Sequence, residues 1–338
     1  MTARLILGGL LSTIALAGAA CGGTDSGSSD QTLTVYSGRE EEYVESVYAD
    51  FEDTTGIDLE VRYGDSAELA AQILEEGDGS PADVFFAQDA GSLGAVGEAG
   101  LLTRLDDRFL ARVDDRFRSS EGVWVGTSGR ARVAAYNTDS LTEADLPDSI
   151  EGFTDPRWKG RIGFPPTNSS FQSFVAAMII SEGEDATRRF LEGLVANEPE
   201  LYEDNGATTR AIASGVIDVG LINHYYVFEV SQEEGDIPVA LHYFEGGDPG
   251  SLVNTAGVGI LETSDSDGSA EEFVDYVMSQ EAQTHFAQNI GEYPLVDGVK
   301  TVDGLVPLDD IEAPNVDLSD LGGALEPALH LMAEVGLL

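Results

Sequence analysis

The stretch LTVYSGREEEYVESVYADFEDTTGIDLEVRYGDSAELAAQILEEGDGSPADVFFAQD, residues 33–89, decides the fold class. LTVYS is a short run of β-branched and aromatic residues that stops at Gly38, the pattern of a strand. In EEYVESVYADFEDTTG the apolar side chains fall at Tyr43, Val44, Val47, Tyr48 and Phe51, helical spacing closed by Gly56. IDLEVRYG alternates as a second strand. AELAAQILEEG returns to helical spacing and ends at Gly77, and ADVFFAQD is a buried strand running into a loop. The order β-α-β-α-β predicts an α/β protein with an open, largely parallel sheet covered by helices. Ligands of such sheets sit beyond the carboxyl ends of the strands. That rule points to SGREE after the first strand and AQDAG after the third.

The theme continues downstream. RARVAAYN reads as a strand, GRIGF as another after the turn TDPRWKG, and SFQSFVAAMIISEG as a helix. ATRRFLEGLVAN is a further helix, TTRAIASGVIDVGLIN a helix followed by a strand, and GVGILE a strand. EEFVDYVMSQEAQTHFAQNIG reads as one long helix, and EPALHLMAEVGLL as a terminal amphipathic one. A length of 338 residues suits roughly two domains.

The chain carries 62 acidic against 17 basic residues, a net charge of −45, and its only lysines are Lys159 and Lys300. Such a field repels nucleic acid and anionic membrane surfaces and favours cationic ligands, although a solvated acidic coat accounts for it equally well. Residues 1–21 read as a targeting segment: Arg4, the apolar run LILGGLLSTIALAG, then small residues up to Cys21. Cys21 is the sole cysteine, which excludes an intramolecular disulfide. Its position after Ala19 and Ala20 resembles a bacterial lipoprotein signal, which implies acylation of Cys21 and a lipid anchor in the membrane. Residues 22–32, rich in Gly, Ser and Asp, read as a flexible tether.

Enzyme signatures are thin. No G-x-S-x-G elbow, P-loop or H-E-x-x-H occurs, and His224, His242, His285 and His330 are scattered without zinc spacing. Two local features could carry chemistry. PPTNSS (165–170) places Asn168, Ser169 and Ser170 where a helix N-cap belongs, and a helix N-terminus with hydroxyls is also an anion site. In LINHYY (221–226), Tyr225 and Tyr226 stand side by side after a buried strand. Strand neighbours leave on opposite faces. Either these are two unrelated aromatics, or the chain leaves strand geometry here and both phenols converge. A phenol, with an ordinary pKa of about 10, yields its proton to a bound trivalent cation, and phenolate oxygen suits iron better than soft metals.

Taken together, LTVYSGREEE, SPADVFF, SGRARV, DPRWKGRIGF, LINHYY, DPGSLV and GEYPL resemble the extracytoplasmic ferric-iron-binding proteins of bacterial ABC transporters, in the family's order from Leu33 to the C-terminus. The resemblance implies a two-domain periplasmic binding protein fold of type II, each domain a mostly parallel sheet flanked by helices, hinged at two crossovers. Domain 1 would comprise 33–130 and 256–305, domain 2 131–255 and 306–338. It implies a monomeric, non-enzymatic protein held outside the cytoplasm that delivers ferric iron to an ABC permease. The family's paired tyrosine ligands fall on Tyr225 and Tyr226. Its first-loop histidine is replaced by Glu40 and its glutamate after the third strand by Gln88, followed by Asp89. The residues that hold a synergistic anion, phosphate or carbonate, fall on Asn168, Ser169, Ser170, Asn205 and Asn223, with Arg130 nearby. Asp89 stands where the family offers the anion a glutamine, and its charge would repel phosphate; carbonate, water or direct coordination by Asp89 stay open. The rival reading is a protein of the same fold for phosphate, thiamine or a polyamine.

Overall fold

The structure is a computed structural model that describes residues 32–338. The expected targeting segment, Cys21 and residues 22–31 of the tether lie outside the described residues. Thr32, assigned above to the tether, is already part of the first strand.

The opening stretch folds as its spacing predicts, into β1 (Thr32–Ser37), α1 (Glu41–Thr55), β2 (Asp58–Tyr63), α2 (Ser66–Glu76) and β3 (Val84–Ala87). Helix α1 buries Val44, Val47, Tyr48 and Phe51 and stops at Gly56, whose φ of 72° is left-handed and costs glycine nothing sterically. Next comes α3 (Ala90–Glu98), whose glycine-rich sequence hides it from periodicity arguments. The chain proceeds through α4 (Asp107–Leu110), β4 (Val125–Asn137), β5 (Ile162–Phe164), α5 (Ser169–Glu182) and α6 (Glu184–Ala196). Then follow β6 (Glu200–Leu201), α7 (Asn205–Ala213), β7 (Val219–Asn223), α8 (Tyr225–Glu234), β8 (Val239–His242) and β9 (Val253–Ile260). The helix expected over residues 271–291 is interrupted. It divides into α9 (Asp267–Val277), α10 (Gln280–His285) and a π-helical turn at Phe286–Ile290, because Ser279 caps α10 by accepting from Ala282 N. β10 (Tyr293–Pro294) and α11 (Leu321–Glu334) complete the chain.

The strands lie in the order β2-β1-β3-β9-β4-β7-β5-β6, with β8 and β10 also paired to β4. Pairing is parallel among β1, β2 and β3 and among β5, β6 and β7, whereas β4 and β9 run antiparallel to their neighbours. Parallel pairing is therefore confined to two outer groups, joined by the long strand β4. Its residues 125–131 pair with β9, and Arg132–Tyr136 pair with β7. The first lobe packs Phe51 and Phe86 edge-on against Phe273, and the second stacks Phe164 on Phe171 with centroids 4.7 Å apart. Helix α11 packs against α3 of one lobe and α5 of the other. The contact with α3 is backbone on backbone: a Cβ on Gly322 would lie 2.4 Å from the carbonyl carbon of Gly94.

Candidate metal centre

In the second lobe the adjacent parallel strands β6, β5 and β7 deliver the N-termini of α7, α5 and α8 to one end of the sheet. Unpaired N–H groups and the positive ends of three helices meet where the ligand rule places a site. His224 has helical backbone angles, φ −56° and ψ −39°, so the chain leaves strand geometry immediately after Asn223. Tyr225 and Tyr226 open α8, both buried, with rings stacked at 4.3 Å and inclined by 30°. The two phenols therefore lie together. His224 is not free to join them. Its Nδ1 accepts from Ala131 N at 3.2 Å, so its Nε2 is the protonated nitrogen and donates to the Gly291 carbonyl at 3.0 Å. Burial pushes its pKa down to about 4, which keeps the ring neutral.

The first lobe closes on this pair. Glu40 stands at the N-cap of α1, yet its side chain makes no capping bond; Oε1 instead accepts from the Tyr226 hydroxyl at 3.2 Å. Burial, then the Glu40 charge, hold the Tyr226 phenol well above its usual range. Tyr225 has a different partner: Arg130 donates from Nη2 to its hydroxyl oxygen, with the guanidinium over the ring at 5.0 Å. Arg130 also donates to the Gln88 carbonyl, to Gln88 Oε1 at 3.2 Å and to Ser170 Oγ at 3.2 Å, so it joins both lobes. Behind it lies Glu292, completely buried. Arg39 grips this carboxylate through two bonds of 2.9 Å, Ser128 donates to it at 2.7 Å, and Arg130 Nε lies 3.2 Å away. Burial alone would raise the Glu292 pKa, but the two guanidinium groups bring it below the usual glutamate value.

Asn168 caps α5 by accepting from Ser170 N at 3.1 Å, and Ser169 Oγ accepts from Gln88 Nε2 at 3.0 Å across the cleft. Both amide atoms of Asn205 and the Nδ2 of Asn223 are buried without a protein partner, a costly state that calls for a polar occupant. Asn223 Oδ1 accepts from Arg132 at 3.3 Å. Arg132 is a buried cation with no carboxylate paired to it among the described residues; burial first, and Arg130 second, lower its pKa to about 9.

Asp89, left open above as a ligand, is engaged in bonds within the protein. Its Oδ1 accepts from Ser92 N at 2.8 Å as the cap of α3 and from Ser173 Oγ at 2.7 Å, while Oδ2 accepts from Ser92 Oγ at 2.9 Å. Both oxygens hold α3 and α5 together. Gln88 likewise serves as a bridge, through Ser169 and Arg130.

Four residues at the centre were not singled out as site residues from the sequence, although Arg39 lies in SGREE and Glu292 in GEYPL. Tyr43, one turn after Glu40, donates its hydroxyl to Glu229, one turn after Tyr226. Burial, followed by repulsion from Glu40, Glu42 and Glu233, raises Glu229 to about 7. Helical spacing from Glu40 and Tyr226 could have flagged both residues. Arg39 and Glu292 gave no comparable signal. Among the described residues no three His, Cys, Asp or Glu side chains gather as a metal group, which leaves phenol oxygens as the distinguishing donors.

The profile of the bacterial extracellular solute-binding protein family matches residues 79–310. The chain belongs to that family. This solute-binding protein is 34% identical over 319 residues to an Fe(3+)-binding periplasmic protein of Serratia marcescens, a match covering 94% of each chain. It is similar to the structure of iron-bound HitA from Pseudomonas aeruginosa, with a TM-score of 0.86, 37% identity and coverage of 91% of this chain and 100% of that one. It is also similar to Trichodesmium IdiA (FutA) in complex with iron and citrate, with a TM-score of 0.77, 30% identity and coverage of 91% and 100%. The fold of this solute-binding protein is the type II periplasmic binding protein fold expected above.

Proposed function

We propose that this protein captures ferric iron between its two lobes and delivers it to an ABC transporter permease. One observation carries the reading: two stacked, buried phenols open α8, and that of Tyr226 meets a carboxylate from the opposite lobe. With both phenols ionised, Tyr225, Tyr226 and Glu40 supply three negative charges, enough to balance a trivalent ion. The iron in the HitA and FutA complexes supports the same reading. An oxyanion, carbonate or phosphate, beside the metal is supported by the unpartnered amides of Asn205 and Asn223 and by Arg130 next to Ser170. The bonds that Asp89 makes to Ser92 and Ser173 leave less reason for it to exclude phosphate. The reading includes an extracytoplasmic monomer anchored through Cys21, with lobes of 33–130 plus 256–305 and 131–255 plus 306–338.

Ferric iron added as a weak chelate should produce a visible phenolate-to-iron charge-transfer band. The iron must displace the proton of Tyr226, a phenol the protein holds well above its usual pKa. Binding therefore releases protons and weakens as the pH falls. The band should be strong near neutral pH and fade as the pH is lowered; a colourless protein at neutral pH would end the reading.

Glu40→Gln should weaken ferric binding by about 100-fold or more, since even outer-shell changes at metal sites cost about 10- to 100-fold. Asp89→Asn should leave it unchanged, because asparagine caps a helix as well as aspartate does. Equilibrium competition with a chelator measures both. A silent Glu40→Gln beside a damaging Asp89→Asn would transfer the balancing charge to Asp89.

A further inference from the structure

The cleft mouth is spanned by two phenol–carboxylate pairs set in opposite senses. Tyr226 of α8 donates to Glu40 of the first lobe, and Tyr43 of the first lobe donates to Glu229 of α8. Both ends of the second pair have fixed mountings. The turn bearing Tyr43 is held by His285, whose Nε2 lies 2.9 Å from the Tyr43 carbonyl. The start of the helix bearing Glu229 is pinned by the bonds of His224 to Ala131 and Gly291.

We propose that Tyr43 and Glu229 form a latch that sets how long the closed cleft retains its metal, without either residue being a ligand. The inference rests on the ferric reading of the neighbouring pair. When iron takes Tyr226 and Glu40, the Tyr226 hydroxyl loses its proton, and the hydrogen bond it made across the cleft is lost. The Tyr43–Glu229 bond involves neither ligand and can persist in the loaded state. A hydrogen bond from a neutral donor to a carboxylate is one of the stronger kinds. It must break before the lobes separate, so it acts on the rate of release.

The test follows loss of the charge-transfer band after mixing iron-loaded protein with excess chelator. Tyr43→Phe and Glu229→Ala should each release iron roughly 10- to 100-fold faster with the band maximum unmoved. The double variant should be no faster than either single one, because both remove the same bond. Glu229→Gln, whose neutral amide oxygen still accepts from Tyr43, should release iron more slowly than Glu229→Ala but faster than wild type. An unchanged rate in Tyr43→Phe would overturn the proposal. So would a shifted band maximum in Glu229→Ala, which would make Glu229 a ligand. Small-angle scattering on iron-free protein supplies a second arm: Tyr43→Phe should show a larger radius of gyration than wild type, and identical radii would count against the latch. If wild type never develops the band, the ferric reading fails, and scattering alone still decides the latch.

Discussion

Replacing Tyr225 or Tyr226 with phenylalanine should remove most of the charge-transfer band and reduce ferric affinity by well over 100-fold. Outer-shell substitutions at metal sites already cost about 10- to 100-fold, and here a charged donor is lost. The rings are buried and stacked, so phenylalanine keeps the packing and deletes only the hydroxyl. The two variants should differ in detail. Tyr225→Phe leaves Arg130 without one of its acceptors, and Tyr226→Phe releases Glu40. Spectrophotometric titration with ferric chelate, beside a thermal unfolding curve to show intact folding, checks the expectation. A double phenylalanine variant that still took up iron with the wild-type spectrum would remove phenolate coordination from the account.

Glu292→Leu should be the most destabilising single substitution around the site. The carboxylate is fully buried, and it is the acidic partner of both Arg39 and Arg130. Its removal strands two guanidinium groups in a desolvated interior, and breaking a buried pair costs roughly 3–5 kcal/mol. At 2–4 °C per kcal/mol, typical of chains of 150–250 residues, that corresponds to a fall of order 10 °C in unfolding midpoint. Differential scanning calorimetry of the metal-free protein measures it. A midpoint within a degree of wild type would show that water reaches the arginines and that the ion pair carries little stability.

The fold was legible where apolar spacing has one dominant period, as in α1 and in strands β1 to β3. It was not legible in α3, where glycine and alanine bury a helix without a periodic stripe, or at residues 271–291, where Ser279 and a π-helical turn break an unbroken pattern. At the centre, the tyrosine pair and Glu40 were assigned through the family resemblance; adjacent aromatics at a strand end left two readings open by themselves. Asp89 was ambiguous for a physical reason: a carboxylate in a loop beyond a strand looks the same whether it meets a ligand or caps the next helix. Tyr43 and Glu229 lie 186 residues apart and are brought together only by the tertiary fold. Glu292 is one acidic residue among 62. Its partners lie on the first loop and on β4, a long-range arrangement that no local pattern announces.

The glycine contact between α3 and α11 ties the spacing of these helices to the edge of the cleft. Gly322 presses on Gly94 so closely that one added methyl group must push the two helices apart. Helix α3 begins beside Gln88 and Asp89, and α5, which also rests on α11, begins at Ser169. A displacement at the glycines is passed, one helical turn on, to the end of α3 that borders Gln88 and Asp89. Side-chain volume at positions 94 and 322 thus acts on the first turn of α3 without touching either tyrosine.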